Sequence, residues 1–386
     1  MQGQTGQVNV VKSQVDEIQV GANQVEKYLP LLKGKIVAVV ANQTSLVSNV
    51  HFVDTLVASG VKIKCVFAPE HGFRGEAGAG EKIKDGKDKK TGLPIISLYG
   101  KHLKPSSNDL ANVDILIFDI QDVGARFYTY ISTLQYVMEA CAEANLPILI
   151  LDRPNPNGFY VDGPVLHEAF KSFVGMCKIP VVHGMTIGEY AKMLKGEKWF
   201  SNSDSLDLKI ILVVNYTHRS LYNLPVQPSP NLPNMQAVYL YPSLCFFEGT
   251  SISIGRGTKF PFQCVGFPGM KNGDISFTPI NIAGVVSNPP YRDTLCNGID
   301  LRTVSLYEDS LSSLLQLKWL TKMYSEFPNK KFFFNSFFEK LAGTATLRTQ
   351  IINGRTEAEI RKSWEPELSE FKKIRKKYLL YLDFDE

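Results

Sequence analysis

Runs of consecutive apolar residues alternate with helix-like patterns over the first half of the chain. The runs that predict strands are Lys35–Ala41, Val61–Ala68, Pro94–Leu98, Val113–Ile120, Pro147–Leu151 and Leu208–Val214. Between them, apolar residues at helical spacing predict helices over Asn49–Ser59 and Ile131–Ala144, and a further helix opens at Thr186–Glu189 and ends at Gly196. Apolar strands separated by helices are typical of a parallel sheet covered on both faces. The pattern therefore predicts an α/β fold with a doubly wound, mostly parallel sheet.

The pattern changes near residues 215–235. The proline-dense segment Pro225–Pro233 excludes a helix, and the remainder mixes short strands with helices, of which Ser312–Phe327 is the clearest. A basic amphipathic helix is predicted over Glu367–Tyr381, after Pro366; its lysines most simply form a solvated face, with a membrane-surface role as the alternative. We expect a polar N-terminal segment at 1–25, a doubly wound domain at 26–225 and a smaller C-terminal α+β domain at 226–386.

Composition excludes several classes of protein. The 386 residues are 44% hydrophobic and 21% charged, the balance of a soluble globular protein. The sequence has no apolar stretch of the roughly 18 residues that a membrane span needs. A net charge of +4, spread over the whole chain, does not make the clustered basic surface of a nucleic-acid binder.

The cysteines and histidines do not have metal-ligand spacing. None of the six cysteines forms a CxxC pair, and Cys65 and Cys141 fall in apolar patterns typical of core residues. The sequence also lacks an HExxH zinc motif and a GxSxG nucleophile elbow. We therefore expect no metal and no cofactor, and the disulfide state of the cysteines stays open.

The N-terminal stretch Met1–Gln24 is polar and carries no signal-peptide pattern. Two interpretations follow: the protein is cytoplasmic, or a signal has been removed and Met1 is not the native start.

Polar side chains gather where the predicted strands end. These clusters are Asn42–Thr44, Pro69–Gly75, Gln121–Arg126 and Asp152–Pro156. Because the carboxyl ends of parallel strands share one edge of a sheet, where open α/β sheets bind ligands, the four clusters should converge there.

Each cluster also has a structural interpretation. Asp152 and Arg153 fit a turn held by an ion pair, and Asp119 and Asp122 fit helix caps or ligands of backbone amides. The Glu70–Arg74 loop places a carboxylate, an imidazole and a guanidinium together, which favours a site over a surface pair of Glu70 with Arg74.

Two further segments of the sequence are rich in glycine. Gly75–Gly92 has GxxGxG spacing, which fits a mobile loop over a cleft better than a phosphate cradle. Phe246–Thr258 places Glu248 and Arg256 among small residues, and the alternative to a site is a hairpin with an incidental ion pair.

Five of these motifs together resemble a known enzyme family. They are Pro69–Gly75 (PEHGFRG), Asp119–Tyr130 (DIQDVGARFYTY), Leu151–Pro164 (LDRPNPNGFYVDGP), Pro180–Glu189 (PVVHGMTIGE) and Phe247–Thr258 (FEGTSISIGRGT). In this order they resemble the NamZ/YbbC-like exo-β-N-acetylmuramidases of bacterial cell-wall recycling, glycoside hydrolase family 171, from about residue 30 to the C-terminus. The resemblance implies a Rossmann-like domain, a smaller C-terminal domain with a cleft between them, and an exported enzyme, periplasmic or secreted. It also implies release of MurNAc from the non-reducing end of MurNAc-GlcNAc saccharides or muropeptides, with the catalytic acid at the position of Glu70.

The residue inventory suits this chemistry. Glycoside cleavage needs a carboxylic acid for the leaving oxygen and a second group at the anomeric carbon, while a lactyl carboxylate suits an arginine fork. We expect Glu70, His71 and Glu248 to be catalytic, with the substrate's N-acetyl group as the alternative to Glu248. The expected substrate-binding residues are Asn42, Arg74, Asp119, Asp122, Arg126, Asp152, Arg153 and Arg256.

Two other function classes remain as alternatives. A two-domain cleft also suits a non-catalytic muropeptide- or sugar-binding protein, and a Rossmann-like fold suits a nucleotide-dependent enzyme, although GxGxxG is missing. The sequence leaves open the anomeric outcome, the tolerated peptide length and the oligomeric state.

Overall fold

The computed structural model describes residues 17–75, 85–305 and 315–385. The strands in these residues are β1 (Ile36–Ala41), β2 (Leu46–Val47), β3 (Val50–His51), β4 (Lys62–Ala68), β5 (Gly86–Lys87), β6 (Pro94–Ser97), β7 (Ile115–Asp119), β8 (Ile148–Leu151), β9 (Leu208–Ile211), β10 (Cys264–Phe267), β11 (Ile275–Phe277) and β12 (Cys296–Asp300). The α-helices are α1 (Val25–Leu32), α2 (Phe52–Ala58), α3 (Ser107–Leu110), α4 (Tyr130–Glu143), α5 (Ile187–Gly196), α6 (Met235–Leu244), α7 (Lys318–Glu326), α8 (Phe338–Ala342), α9 (Thr346–Ile352) and α10 (Glu357–Lys376).

The large sheet has the order β5-β6-β4-β1-β7-β8-β9. All neighbouring strands pair in parallel except β5, which lies antiparallel to β6 at the edge. The order runs outward from β1 in both directions, as in doubly wound dinucleotide-binding folds. The predicted α/β fold with a mostly parallel sheet is confirmed, and each predicted strand lies in this sheet with slightly shorter bounds.

Both faces of this sheet are buried, as the uninterrupted apolar strands predict. Along β1, Ala38 and Val40 belong to one hydrophobic core, whereas Val37 and Val39 belong to another. Since successive side chains of a strand point to opposite faces, β1 separates the two cores. Helices α4 and α5 cover the first face, and α1 and α2 cover the second.

The N-terminal residues 17–25 pack against the edge of this sheet. Gln19 pairs antiparallel with Val214, and the Gly21 amide donates to the Asp152 carbonyl at 2.8 Å. Ala22 is fully buried. This part of the predicted polar segment therefore belongs to the fold, while residues 1–16 lie outside the described residues.

The later half contains a second, antiparallel sheet of order β10-β12-β11. The predicted domain boundary near residue 226 falls between β9 and α6, and its position stays a prediction. No helix within the predicted Pro225–Pro233 segment interrupts this connection. The helices of the described residues all fall short of the length and apolarity needed to cross a bilayer.

Two predicted helices in this half have the wrong bounds. Helix α7 begins at Lys318, not at Ser312; residues 312–314 lie outside the described residues. Helix α10 begins ten residues before the predicted Glu367, because Thr356 and Glu359 form a capping box, and it continues through Pro366. Its lysines after position 370 are exposed as predicted, but Arg375 is buried.

Candidate active site

A pocket of about 440 Å³ lies between the carboxyl edge of the large sheet and the later half of the chain. The first half contributes Glu70 and His71 after β4, Tyr99 after β6, and residues 127–130 at the start of α4. The later half contributes Glu248 and Arg256. Aromatic side chains form much of the wall: Tyr99, Phe127, Tyr128, Tyr130, Phe173, Tyr241, Phe247, Phe262 and Phe337. The pocket therefore combines flat apolar surfaces with a few charged groups, as saccharide sites require.

Glu70 lies on a tight turn directly after the buried strand β4. The Gly72 amide donates to the Pro69 carbonyl at 3.0 Å, and His71 has a φ of 71°, which is uncommon for a residue other than glycine. Outliers of this kind cluster at functional sites. The turn brings both Glu70 and His71 to the pocket, as the sequence predicts.

Three neighbours hold Glu70 in place. Thr129 Oγ1 donates to Glu70 Oε2 at 2.8 Å, and Tyr99 forms a side-chain hydrogen bond with Glu70. The Tyr130 hydroxyl lies 3.4 Å from the Glu70 carbonyl oxygen. The carboxyl group is therefore oriented by its own surroundings.

Arg74 leaves the loop in another direction. Its guanidinium pairs with Asp54 at 3.0 Å and Asp88 at 2.7 Å, so it is not the surface partner of Glu70. The hydrogen bond from Arg74 is the largest cause that lowers the pKa of Asp88 well below its usual range. Arg74 does not line the pocket. Half of the predicted Gly75–Gly92 loop, residues 76–84, lies outside the described residues.

Glu248 and Arg256 meet in the part of the pocket that the later half of the chain forms. A 3₁₀-helix over Cys245–Gly249 presents Glu248, and a turn with positive φ at Gly255 and Gly257 presents Arg256. Arg256 Nε donates to Glu248 Oε1 at 2.9 Å, and Nη2 donates to the same oxygen. Burial acts to lower the pKa of Arg256, but the charge and hydrogen bonds of Glu248 outweigh it and raise that pKa. The guanidinium also lies 5.0 Å from the centre of the Phe262 ring.

Asp119 and Arg153 form a buried ion pair behind the pocket. Arg153 Nε donates to Asp119 Oδ1 at 2.6 Å and Nη2 donates to Oδ2 at 2.9 Å, the two-pronged geometry that arginine favours with carboxylates. Arg153 also donates to the Leu46 carbonyl at 3.0 Å. The pair ties β7 to the segment after β8 and does not line the pocket.

Asp152 joins three parts of the chain. It accepts hydrogen bonds from Thr186 Oγ1 at 2.7 Å, the Gly188 amide at 2.8 Å and the Tyr381 hydroxyl at 2.6 Å. Burial raises the pKa of this carboxyl to about 6. These contacts give Asp152 a structural role, but the predicted ion pair of Asp152 with Arg153 is not formed, because the Arg153 guanidinium pairs with Asp119.

Three further predicted site residues are buried in polar networks. Asn42 Oδ1 accepts from the Thr44 amide at 2.9 Å and the Thr44 hydroxyl at 2.6 Å. Asp122 Oδ2 accepts from the Gly124 amide at 2.7 Å and lies 4.0 Å from His183 Nε2. Arg126 donates only to backbone carbonyls, four of them at 2.8 Å. None of the three lines the pocket.

The structure thus brings four of the predicted residues together: Glu70, His71, Glu248 and Arg256. The other seven do not line the pocket: Asn42, Arg74, Asp119, Asp122, Arg126, Asp152 and Arg153. Six of these seven are buried and satisfy backbone or side-chain partners, because loops at a covered sheet edge carry polar groups that need internal bonds.

Two pocket residues that bond to the Glu70 side chain, Tyr99 and Thr129, were not among the predicted site residues. Tyr99 directly follows the predicted strand Pro94–Leu98, so the strand-end rule applied to the other clusters would have found it. Thr129 lies in the Asp119–Tyr130 motif, but its contact with Glu70 spans 59 positions and leaves no local signal. Across the described residues, no group of three histidine, cysteine or acidic side chains is placed to hold a metal ion. The six cysteines are buried free thiols.

Solved structures with this fold come from Bacteroides fragilis NCTC 9343. One DUF1343 family protein superposes with a TM-score of 0.88 and 46% identity, covering 95% of this chain and 99% of its own. A second DUF1343 family protein gives a TM-score of 0.81 and 28% identity, covering 94% and 99%.

Sequence comparisons identify the family. The chain is 40% identical over 376 residues to the peptidoglycan β-N-acetylmuramidase NamZ of Bacillus subtilis (strain 168), covering 92% of this chain and 89% of that protein. Residues 37–236 match the family model for the N-terminal part of exo-β-N-acetylmuramidase NamZ, and residues 239–381 match the model for its C-terminal part. With both models matched in order over most of its length, the chain belongs to the exo-β-N-acetylmuramidase NamZ family.

Proposed function

We propose that this protein is an exo-acting glycosidase that releases N-acetylmuramic acid from the non-reducing end of peptidoglycan fragments such as MurNAc-GlcNAc, for cell-wall turnover and recycling. One observation carries the proposal: an oriented carboxyl group, Glu70, shares an aromatic pocket with an arginine, Arg256. The first supplies the acid that glycoside cleavage needs, and the second suits the lactyl carboxylate that distinguishes this sugar. The name of the Bacillus subtilis relative supports the same reaction.

In this mechanism Glu70 is the general acid. It transfers its proton to the glycosidic oxygen while the bond from that oxygen to the anomeric carbon breaks, and water completes the hydrolysis. The aromatic walls, including Tyr99 and Phe173, present ring faces to the sugar and exclude water from the reacting bond. Glu70 emerges from a sheet-anchored turn, so its position is fixed before the substrate binds.

The second group at the anomeric carbon has two candidates. Glu248 accepts two N–H groups of Arg256, so it acts as a carboxylate and not as the proton donor. It either supports the anomeric carbon or orients Arg256, in which case the N-acetyl group of the substrate supports that carbon. The anomeric configuration of the released sugar, read by NMR, together with azide rescue of Glu248→Ala, separates these two roles.

The test of Glu70 is a substitution that keeps its shape and removes its proton. Glu70→Gln should lower turnover of MurNAc-GlcNAc by about 10²–10⁴-fold, the usual contribution of general acid catalysis. It should affect an aryl MurNAc glycoside far less, because a good leaving group needs little protonation. Release of reducing sugar measures the first substrate and absorbance the second.

Two control variants make the result specific. Glu26→Gln, at an exposed glutamate of α1, should retain full activity. His71→Gln tests the competing proton donor, because the His71 imidazole lines the same pocket. Near-normal activity of Glu70→Gln would remove it from the mechanism, and binding of MurNAc-GlcNAc without any reducing sugar from the wild type would favour a non-catalytic sugar-binding protein.

The proposal includes a location outside the cytoplasm, either periplasmic or secreted. Peptidoglycan fragments with a non-reducing MurNAc arise where the cell wall is, so the enzyme and its substrate should share that compartment. Fractionation of cells that express the native gene tests this, with a cytoplasmic enzyme as marker. If the protein fractionated with the cytoplasmic marker, this would contradict the proposed location but not the proposed reaction.

A further inference from the structure

Thr129 precedes helix α4 but does not use its hydroxyl to cap the helix. Threonine, serine and asparagine at this position normally accept a hydrogen bond from an amide of the first turn. Other N-cap residues of these types in the described α-helices do so: Ser106, Thr186, Asn234 and Thr356. The hydroxyl of Thr129 is therefore available for another partner.

The backbone explains the difference. Thr129 has helical angles, φ −73° and ψ −3°, whereas the four capping residues have extended backbone. A residue that is already helical cannot fold its side chain back over the first-turn amides in the usual way. The Thr129 hydroxyl instead points across the pocket wall and donates to Glu70 Oε2 at 2.8 Å.

We propose that Thr129 is a positioning residue, one whose hydrogen bond to Oε2 holds the Glu70 carboxyl group in place for proton transfer. This inference rests on the proposed role of Glu70 as the general acid. The same bond fixes the plane of the carboxyl group relative to the glycosidic oxygen.

The other groups around Glu70 are compatible with this role. Tyr99 forms a side-chain hydrogen bond with Glu70, and burial is the largest cause that raises the pKa of Tyr99, so the phenol stays neutral at neutral pH. The Tyr130 hydroxyl approaches the backbone of Glu70 rather than its carboxyl group. Arg74 is engaged by Asp54 and Asp88. Thr129 thus supplies the short hydroxyl contact to a defined carboxyl oxygen.

The test compares Thr129→Val, which keeps the shape, with Thr129→Ser, which keeps the hydroxyl. Thr129→Val should lower kcat on MurNAc-GlcNAc by up to about 100-fold with little change in KM, because a misplaced catalytic group costs about this much. On an aryl MurNAc glycoside the loss should be much smaller. Thr129→Ser should restore most of the activity. Thr349→Val, at an exposed threonine of α9 outside the pocket, is the control and should behave as wild type.

Each outcome decides between the inference and the proposed function. Equal losses on both substrates, or no recovery with Thr129→Ser, would overturn the positioning role, since a general packing defect affects every substrate. An active Thr129→Val beside an inactive Glu70→Gln would overturn it as well and leave the function standing. An active Glu70→Gln would overturn both. Thermal unfolding of all variants guards against misfolding, and Thr129→Ala replaces Thr129→Val in the same comparison if the valine does not fold.

Discussion

Two arginines that look equivalent in the sequence have different surroundings in the structure. Arg256 lines the pocket and pairs with Glu248, whereas Arg74 is held by two aspartates outside it. Arg256→Ala should therefore weaken binding of the MurNAc substrate by about 2–5 kcal/mol, the cost of removing one partner of the charge pair that the lactyl carboxylate forms with Arg256 when the bound sugar buries it. Kinetics with MurNAc and GlcNAc versions of one aryl glycoside measure the effect.

Arg74→Ala is the matched control for this prediction. It removes the same charge from a loop that leads directly from Glu70, yet it should change both substrates alike. If the Arg256→Ala variant kept its selectivity for MurNAc, this would show that another group binds the lactyl carboxylate.

Asp122 and His183 form a second informative pair, buried side by side. Burial raises the pKa of Asp122 from 3.8 to about 7, and burial lowers the pKa of His183 from 6.5 to about 3. Between pH 4 and 7 the folded state holds an aspartate proton that the unfolded chain has lost, so this contribution to stability falls as pH rises. Between pH 3 and 6.5 the unfolded chain holds a histidine proton that the folded state lacks, so that contribution rises.

The two contributions to the free energy of unfolding change with pH in opposite directions. Replacing one of the two residues should therefore expose the pH dependence that the other causes. Relative to wild type, the free energy of unfolding of Asp122→Asn should rise with pH through the window from pH 4 to 7, by up to about 1.4 kcal/mol per pH unit. His183→Gln should show the opposite slope from pH 3 to 6.5. Urea unfolding at several pH values measures both, and slopes identical to wild type would contradict the assigned protonation.

Single residues were predictable from the sequence where a strand end and a local motif agreed. Glu70 and His71 follow an apolar strand on a short loop, so their arrival at the pocket follows from the sheet. Asp119 ends β7 and Arg153 follows β8 at the same edge of the sheet, but these two side chains bind each other. The sequence does not distinguish these cases, because whether a polar side chain finds an internal partner depends on contacts between distant segments.

At the scale of elements, the alternating apolar pattern identified the strands of the large sheet. The pattern is strong there because both faces of β1, β7 and β8 are buried, so few polar residues interrupt the apolar runs. The order of the strands in the sheet was not predictable in detail, because strand pairing depends on which elements cover each face of the sheet. The short strand β5 gave no signal at all, because both of its residues are exposed.

The predicted helix bounds are wrong where a tertiary contact outweighs a local sequence rule. Pro366 predicts a helix start, yet α10 passes through it, because Trp364 and Leu368 on either side are buried and hold the helix against the core. The true start was readable from the Thr356–Glu359 capping box, which has the same spacing as the one correctly identified at Thr186–Glu189.

At the scale of the whole molecule, the pocket requires both halves of the chain. Glu70 and Arg256 line the same pocket, and each half supplies one of them. One buried side chain links the halves next to this pocket. Arg126 Nη1 donates to the carbonyls of Pro164 and Ile179, and Nη2 donates to those of Leu341 and Ala342, all at 2.8 Å. Arg126 precedes the pocket residue Phe127 and is itself fully buried.

Replacement of Arg126 should therefore destabilise the whole fold. Arg126→Met keeps much of the volume but leaves four buried carbonyls without this donor, so unfolding should become easier by at least about 3 kcal/mol even after the desolvation cost of the charge is removed. Arg126→Lys should also fail, because one ammonium cannot span two segments as a planar guanidinium does. Arg355→Met, at an exposed arginine paired with Glu359, should change stability by about 0.5 kcal/mol or less. Urea unfolding measures all three, and an Arg126→Lys as stable as wild type would show that the link depends on charge alone and not on the guanidinium fork.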